Sequence, residues 1–194
     1  MKSTAKLFFI PLNASGMISE IAQVCYQSKK PVPVRKLVEA GHLSVLEHMT
    51  ATFHIRCSTK ILLQLTRHRH ASFTVQSSRG SELNGYYETG DDLLDKLLEI
   101  AMKQYHDLME ERKDLKKEDL ARLLPQGAMY ELFMTMNLRG WYEYLPKRLC
   151  NRAQKEHREL AMQIQKELEW AEPDIFKDLT ANCKYCKEEG CSFA

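Results

Sequence analysis

The chain has 194 residues, 44% of them hydrophobic, and a formal net charge of +2 at pH 7. This length allows one sizeable core and is short for two independent domains, so we predict a single domain over 1–178 and a cysteine-containing tail over 179–194. The small net charge excludes the broad basic surface of a typical nucleic-acid-binding protein, and no segment has the length of a membrane span or the pattern of a secretory signal. We therefore expect a cytoplasmic protein that binds neither nucleic acid nor membrane.

Residue periodicity predicts alternating strands and helices in the first half of the chain. From Thr50 to Cys57, polar and apolar residues alternate, which is the pattern of a half-buried strand. The second helix should end at Gly41, since glycine tolerates the left-handed conformation that follows many helices. The predicted elements are a strand over Lys6–Leu12, a helix capped by Ser15 that runs to Ser28, a helix over Val34–Ala40, a strand over Thr50–Cys57, and a helix that begins at Ser58 or Thr59.

Helical spacing dominates the second half. A long apolar stripe and an acidic start predict a helix from Asp91 to Lys117, and a second stripe predicts one from Arg152 to Trp170. We also predict shorter helical pieces over Glu118–Leu124 and Tyr130–Asn137. The fold class is therefore α+β, a small sheet with several long helices. Because one small sheet can hardly cover both apolar stripes, we expect the chain to associate with copies of itself.

The most informative segment is 67–79, Arg-His-Arg-His-Ala-Ser-Phe-Thr-Val-Gln-Ser-Ser-Arg, which has no acidic residue. Its guanidinium, imidazole and hydroxyl groups are typical of an anion site, and the preceding helix delivers Arg67, His68 and Arg69 at its end. A solvated basic strip is the plain alternative. The spacing, Arg-His-Arg followed by seven residues and Ser77, resembles the signature of the flavin-dependent thymidylate synthases, the ThyX family.

Two further blocks carry the same resemblance in the same order. Residues 41–48, Gly-His-Leu-Ser-Val-Leu-Glu-His, are similar to the family segment that precedes the signature strand and helix. Asn137-Leu138-Arg139 and the run from Arg148 to Glu156 are similar to its Asn-x-Arg and Arg-Leu-Cys-x-x-Ala-Gln-x-Glu elements. Together the blocks cover most of residues 35–170, and their combination is far more specific than any one of them.

The resemblance implies a ThyX-like fold with a small antiparallel sheet, assembled as a homotetramer with shared active sites. It implies reductive methylation of dUMP to dTMP, with FAD as cofactor, methylenetetrahydrofolate as carbon donor and NADPH as reductant. The redox chemistry would belong to the flavin, so no side chain is assigned as a covalent nucleophile.

The same resemblance assigns roles to individual residues. Arginine suits phosphate because it forms charge-assisted and often bidentate contacts. A direct part in the reaction is expected of Arg148 and His42. FAD is expected to contact Ser44, Glu47, Arg67, His68, Arg69, Asn137 and Arg139. The nucleotide is expected to contact Gln64, Ser77, Arg79, Arg122 and Arg148.

Several positions depart from the family pattern. Gly80 stands where a tyrosine usually ends the signature, and Thr74 and Val75 replace an asparagine and a common glutamate. Ala121 occupies the place of a phosphate-binding arginine, with Arg122 one residue later, about 100° round a helix. Glu143 falls where a flavin-contacting asparagine is common, and a carboxylate there disfavours a nearby phosphate.

These departures keep open a flavoprotein of the same fold that acts on another pyrimidine nucleotide or has lost activity. A nucleic-acid-binding module is a remote alternative, because Phe73 is the one aromatic residue in the basic segment.

Six cysteines are present, three of them in the tail as Cys183-x-x-Cys186 and Cys191. Structural zinc normally needs four protein ligands, so this set is one short, and we predict no metal site and reduced thiols.

Overall fold

The computed structural model describes residues 1–186 and 191. Its strands are β1 Thr4–Phe9, β2 Thr50–Ser58, β3 Ser72–Val75 and β4 Met129–Asn137. Its α-helices are α1 Ala14–Tyr26, α2 Val34–Glu39, α3 Thr59–Leu65, α4 Asp92–Glu111, α5 Lys117–Leu120, α6 Leu138–Arg148, α7 Lys155–Ala171 and α8 Pro173–Phe176. Short 3₁₀ helices occupy Leu43–His48, Ala121–Leu123 and Asn182–Tyr185.

The strands form one antiparallel sheet in the order β1-β2-β4-β3, which confirms the predicted α+β class. The backbone divides into two compact units, and the boundary between them falls within each of the four strands. Unit 1 comprises 1–4, 55–69 and 73–133, and unit 2 comprises 5–54, 70–72 and the remainder from Met134. No helix in the part of the chain that the structure describes is long and apolar enough to cross a membrane.

The helix predicted over Tyr130–Asn137 is wrong, because these residues belong to β4. The buried side chains of the strand include Leu132, Met134 and Met136, which repeat every second residue. That is the period of a strand with one covered face. Methionine and leucine favour helices on their own, so tertiary burial has overridden local preference here.

The start of α1 also differs from the expectation that Ser15 caps it. Asn13 is the cap residue, in the left-handed conformation at φ 57°, and its side chain accepts a hydrogen bond from Gly16 N at 3.2 Å. Ser15 and Ala14 instead donate their backbone N–H groups to the buried carboxylate of Glu172. A carboxylate at this end of a helix satisfies N–H groups that have no partner inside the helix.

Helix α4 is shorter than predicted. It begins after Asp91, which accepts from Leu94 N at 2.9 Å as an N-cap, and it ends at Glu111. Its buried residues, Met102 and Tyr105, lie in its second half and pack with Leu120 and Ala128. The first half of the predicted apolar stripe is exposed.

In unit 2, α6 is anchored through its buried face. The Trp141 ring meets Phe53 edge-on, with ring centroids 5.0 Å apart, and its indole N–H donates to Ala51 O at 3.0 Å. One turn later, the hydroxyl of Tyr144 pairs with His157 Nε2 of α7 at 2.9 Å. These contacts fix the rotation of α6 about its axis and so determine which residues it exposes.

Candidate functional site

Two of the blocks that carry the resemblance, 41–48 and 137–139, meet in unit 2, where α6 packs against the 3₁₀ helix Leu43–His48. That helix buries Val45 and Leu46, which leaves Ser44 and Glu47 exposed. Helix α6 buries Leu138 and Trp141, which places Arg139 near the surface. Alternation of apolar and polar residues therefore brings Glu47 and Arg139 to one surface.

Arg139 is held by two carboxylates. Its Nη1 donates to Glu47 Oε1 at 2.6 Å, across 92 positions of sequence. Its Nε donates to Glu143 Oε1 at 2.8 Å, one helical turn further along α6. The pKa of the Arg139 guanidinium is raised above its ordinary value, first by Glu143 and then by Glu47. Arg139 is therefore a fixed cation whose charge is more than balanced by its neighbours.

Asn137 has a structural task beside its expected ligand contact. Its side-chain oxygen accepts from Gly140 N at 2.7 Å and so caps α6. A cap of this kind stabilises a helix by about 1 kcal/mol. His42 is exposed and precedes the 3₁₀ helix that carries Ser44 and Glu47.

Arg148 lies in the last turn of α6, nine residues after Arg139. At 100° per residue this separation turns the two arginines to opposite sides of the helix. Arg148 is half-buried, whereas Glu143 is exposed. A guanidinium that is partly removed from water interacts more strongly with a nearby negative charge than an exposed one does.

In unit 1, α3 determines where the Arg-His-Arg segment lies. Ser58 caps the helix by accepting from Ile61 N at 3.3 Å, as predicted, and the inward face is closed by buried leucine and isoleucine side chains. The helix ends as the N–H of His68 donates to Leu65 O at 3.0 Å. Arg67 and Arg69 are consequently exposed just past the helix end, while His68 is half-buried.

Ser77 organises a turn. Its hydroxyl accepts from Arg79 N at 3.2 Å, and its carbonyl oxygen accepts from Ser81 N at 2.8 Å. Arg79, which the turn projects, donates from Nε to Glu118 Oε2 at 2.9 Å although its side chain is 79% exposed. Gln64 lies half-buried on α3.

Arg122 is on the 3₁₀ helix Ala121–Leu123, and its side chain is 81% exposed. Its Nε lies 3.7 Å from Asp119 Oδ1. Sequence reasoning missed both acidic partners in this region. The Asp119–Arg122 spacing of three residues is a signal that could have revealed one. The Glu118–Arg79 pair spans 39 positions, so no local sequence pattern indicates it.

A cleft of about 400 Å³ opens beside Glu143 in unit 2. Its walls combine apolar and aromatic groups, such as Leu43 and Tyr142, with one cation, Lys147, and two carboxylates, Glu143 and Asp178. Burial raises the pKa of the Tyr142 hydroxyl above its ordinary value, so this group stays protonated at neutral pH. The cleft can accept an apolar ring that carries a polar group.

The tail cysteines Cys183 and Cys186 are exposed free thiols, and Cys191 is half-buried. Among residues 1–186 and 191, no group of three or more His, Cys, Asp or Glu side chains is placed to hold a metal ion. The other tail residues, 187–190 and 192–194, lie outside the described residues.

Comparison with known proteins identifies the family of the chain. The sequence model of the family described as thymidylate synthase complementing protein, Thy1, matches residues 10–174, which include every candidate site residue. The chain belongs to the ThyX family of flavin-dependent thymidylate synthases. The family resemblance found in the sequence is thereby confirmed.

Relatives with this name come from archaea and bacteria. The flavin-dependent thymidylate synthase of Sulfolobus acidocaldarius is 34% identical over 161 residues, which are 77% of this chain and 61% of that protein. The enzyme of that name from Geobacter sulfurreducens is 30% identical over 183 residues, 88% of this chain and 78% of that protein. The chain thus spans about three fifths of the Sulfolobus ThyX protein.

Solved ThyX structures share the fold. A crystal structure of ThyX from Helicobacter pylori with FAD and dUMP superimposes with a TM-score of 0.79 at 22% identity, covering 91% of this chain and 98% of that one. A second Helicobacter pylori complex with FAD and dUMP gives a TM-score of 0.78. The predicted ThyX-like fold is confirmed.

Proposed function

We propose that the chain catalyses the FAD-dependent reductive methylation of dUMP to dTMP, with methylenetetrahydrofolate as carbon donor and NADPH as reductant. The observation that carries this proposal is the contact of Glu47 with Arg139. Both match flavin-binding positions of the family, they come from separate sequence blocks, and they meet at 2.6 Å. Family membership supports the same reaction. The cytoplasmic location expected from the sequence stays a prediction.

The residues present fit a cofactor that carries a pyrophosphate. Arg67 and Arg69 are exposed, and neither makes an ion pair with a carboxylate within residues 1–186 and 191. Their fork geometry suits bidentate contacts to phosphate oxygens. We therefore assign the pyrophosphate of FAD to Arg67, His68 and Arg69, and further flavin contacts to Ser44, Glu47, Asn137 and Arg139.

When bound, FAD supplies the hydride chemistry, and the chain's own residues position the reactants. We assign the nucleotide to Gln64, Ser77, Arg79, Arg122 and Arg148. The half-buried guanidinium of Arg148 stabilises negative charge that develops on the pyrimidine. The surrounding protein screens this interaction less than bulk water would. The exposed His42 is assigned to the same reaction centre.

We also propose assembly as a homotetramer with shared active sites. The exposed start of α4 supports self-association, since Leu93, Leu94 and Leu97 are 69%, 47% and 54% exposed. Contiguous apolar surface of this kind is uncommon on a monomer. Light scattering of the double variant Leu94→Glu, Leu97→Glu should give a smaller species than wild type. Leu115→Glu, a partly exposed residue outside α4, should leave the mass unchanged, and an unchanged mass for the double variant would remove this support.

The reaction is tested first by absorbance spectroscopy. FAD is titrated into the purified protein, dUMP is then added, and dTMP is assayed after addition of methylenetetrahydrofolate and NADPH. We expect bound flavin whose bands shift with dUMP, followed by turnover. Protein that binds no flavin would contradict the proposal.

A matched pair of variants locates the cofactor contact. Arg67→Gln should weaken FAD binding by about tenfold or more, since one charge-assisted contact to a phosphate is lost. Arg112→Gln is the control, because Arg112 is exposed in the same unit and pairs with Asp114 in a local turn. An equal loss of FAD affinity in both variants would show a general effect of net charge and would argue against a phosphate site at Arg67.

One observation favours a second candidate, a flavoprotein of this fold that acts on a different pyrimidine nucleotide. Thr74, Val75 and Gly80 replace the asparagine, the glutamate and the tyrosine that the ThyX signature usually carries, so the edge of the proposed nucleotide pocket differs from that of the family. Flavin bands that respond to another pyrimidine nucleotide and not to dUMP would support this candidate.

A further inference from the structure

Arg139 differs from the other candidate cofactor arginines in its charge balance. Two carboxylates occupy two of its three nitrogens, so the cluster of Glu47, Arg139 and Glu143 carries a formal net charge of −1, the sum of one positive and two negative charges. Arg67 and Arg69 have no such carboxylate partners in the described chain. An anionic ligand that approaches Arg139 therefore meets net negative charge.

The two carboxylates are held in different ways. Glu47 reaches Arg139 from another element, so its contact depends on the packing of the 3₁₀ helix against α6. Glu143 lies four residues after Arg139 on the same helix, so its contact is present whenever α6 is helical. Small movements of the 3₁₀ helix can remove Glu47 from the guanidinium, but they leave Glu143 in place.

We propose that Glu143 is an internal competitor of the cofactor: its carboxylate binds Arg139 and lowers the affinity of the site for an anionic flavin nucleotide. This inference rests on the proposed FAD site and adds a determinant of its affinity. Glutamine at the same position keeps an acceptor for Arg139 Nε and removes the charge. Affinity should therefore rise in Glu143→Gln.

The chain contains a matched cluster outside the candidate site. Arg35 Nε donates to Glu39 Oε1 at 3.0 Å, four residues away on α2, and Arg35 Nη2 donates to Asp178 at 3.4 Å. This cluster repeats the arrangement of one arginine with a helical and a tertiary carboxylate. Glu39→Gln removes the same charge from an equivalent pair and serves as the control.

The experiment measures FAD dissociation constants by quenching of flavin fluorescence at 50 and 500 mM NaCl. We expect Glu143→Gln to bind FAD about three- to tenfold more tightly at low salt, an estimate for the removal of one charge that repels an anionic ligand in a largely solvated site. The gain should shrink at high salt, since screening weakens the repulsion. Glu39→Gln should bind FAD as wild type does at both salt concentrations.

Two further variants make the result decisive. Glu143→Asn removes the same charge with a shorter side chain, and it replaces Glu143→Gln should that protein not fold. In an Arg139→Gln background, removal of the Glu143 charge should give a smaller gain, because the competition for the guanidinium is gone.

The outcomes separate this inference from the proposed function. Wild type that binds FAD, with Glu143→Gln equal or weaker in affinity, overturns the inference and leaves the proposed function standing. A wild type and a Glu143→Gln variant that both fail to bind FAD overturn both.

Discussion

The indole N–H of Trp141 donates to the backbone carbonyl of Ala51 at 3.0 Å, and this buried hydrogen bond joins α6 to β2. The Trp141 side chain is fully buried and packs edge-on against Phe53. The neighbours of Trp141 on α6 include the half-buried Arg139 and the exposed Glu143, so the bond also helps to orient these two side chains.

Trp141→Phe should lower the free energy of unfolding by about 2–4 kcal/mol, because it leaves a cavity and a carbonyl without its donor. Urea unfolding measures the change. Trp170→Phe is the matched control, since Trp170 is 83% exposed, and it should alter stability by no more than about 0.5 kcal/mol. Similar effects of the two substitutions would show that the Ala51 bond contributes little.

Glu172→Gln should destabilise the protein by about 1–3 kcal/mol. The buried carboxylate accepts from Ala14 N at 3.0 Å, from Ser15 N at 3.2 Å and from the Ser15 hydroxyl, and the amide replaces one charged acceptor oxygen with a donor. Thermal unfolding of this variant should be compared with Glu169→Gln, an exposed position on α7. Loss of stability at Glu169 alone would contradict the capping role of Glu172.

Gly80→Tyr, which restores the usual residue of the ThyX signature, should fold as stably as wild type. A Cβ atom at Gly80 would meet nothing within 4 Å, and the residue is not among the glycines with positive φ. Binding of dUMP should become tighter if the tyrosine closes the nucleotide pocket, and isothermal titration calorimetry measures this. By contrast, Gly85→Ala should lower the free energy of unfolding by about 1 kcal/mol or more. Gly85 has φ 85°, and a Cβ atom there would lie 2.5 Å from Met1 Sδ.

Thr89→Val should reduce stability at neutral pH and much less in acid. The Thr89 hydroxyl, followed by its backbone N–H, holds the pKa of the Asp95 carboxyl below its ordinary value. The pKa of Asp95 in the unfolded chain is about 4, and its folded-state pKa lies below that value. The stability that the ionised carboxylate contributes is therefore present at neutral pH and is lost as pH falls through the folded-state pKa.

Melting temperatures of wild type and Thr89→Val at pH 7 and pH 3 test this linkage. Thr74→Val, an exposed threonine of β3, is the control and should change little at either pH. A difference that persists unchanged at pH 3 would show that Asp95 ionisation is not involved.

Local signals predicted much of the fold. Ser58 as a cap, Gly41 after α2 with φ 78°, and the alternation of β2 are all present in the structure. The β4 prediction failed because the residues of that strand favour a helix until the sheet covers one of their faces. Asn13 was overlooked although asparagine is a common cap residue that tolerates the left-handed conformation, whereas the acceptor of Ser15 N, Glu172, lies 157 positions away and left no local signal.

The candidate site divides in the same way. Residue types indicated an anion site at 67–69, and the family resemblance supplied the other cationic positions. The acidic residues that pair with these cations were harder to predict from the sequence. Glu47 and Glu118 reach their arginines across 92 and 39 positions, and no local pattern encodes such contacts. Glu143 was recognised as a departure, but its pairing with Arg139 only emerged from the conformation of α6.

The two faces of α6 differ in how well they tolerate amino-acid substitutions. Leu138, Trp141, Tyr144 and Leu145 are buried and tied to neighbouring elements, so substitutions there threaten folding. Positions 139, 142 and 143 lie between them, and 143 is exposed. Natural variation can therefore accumulate at Glu143 at little cost to the fold. Such a helix lets a family explore new ligand preferences while its scaffold is preserved.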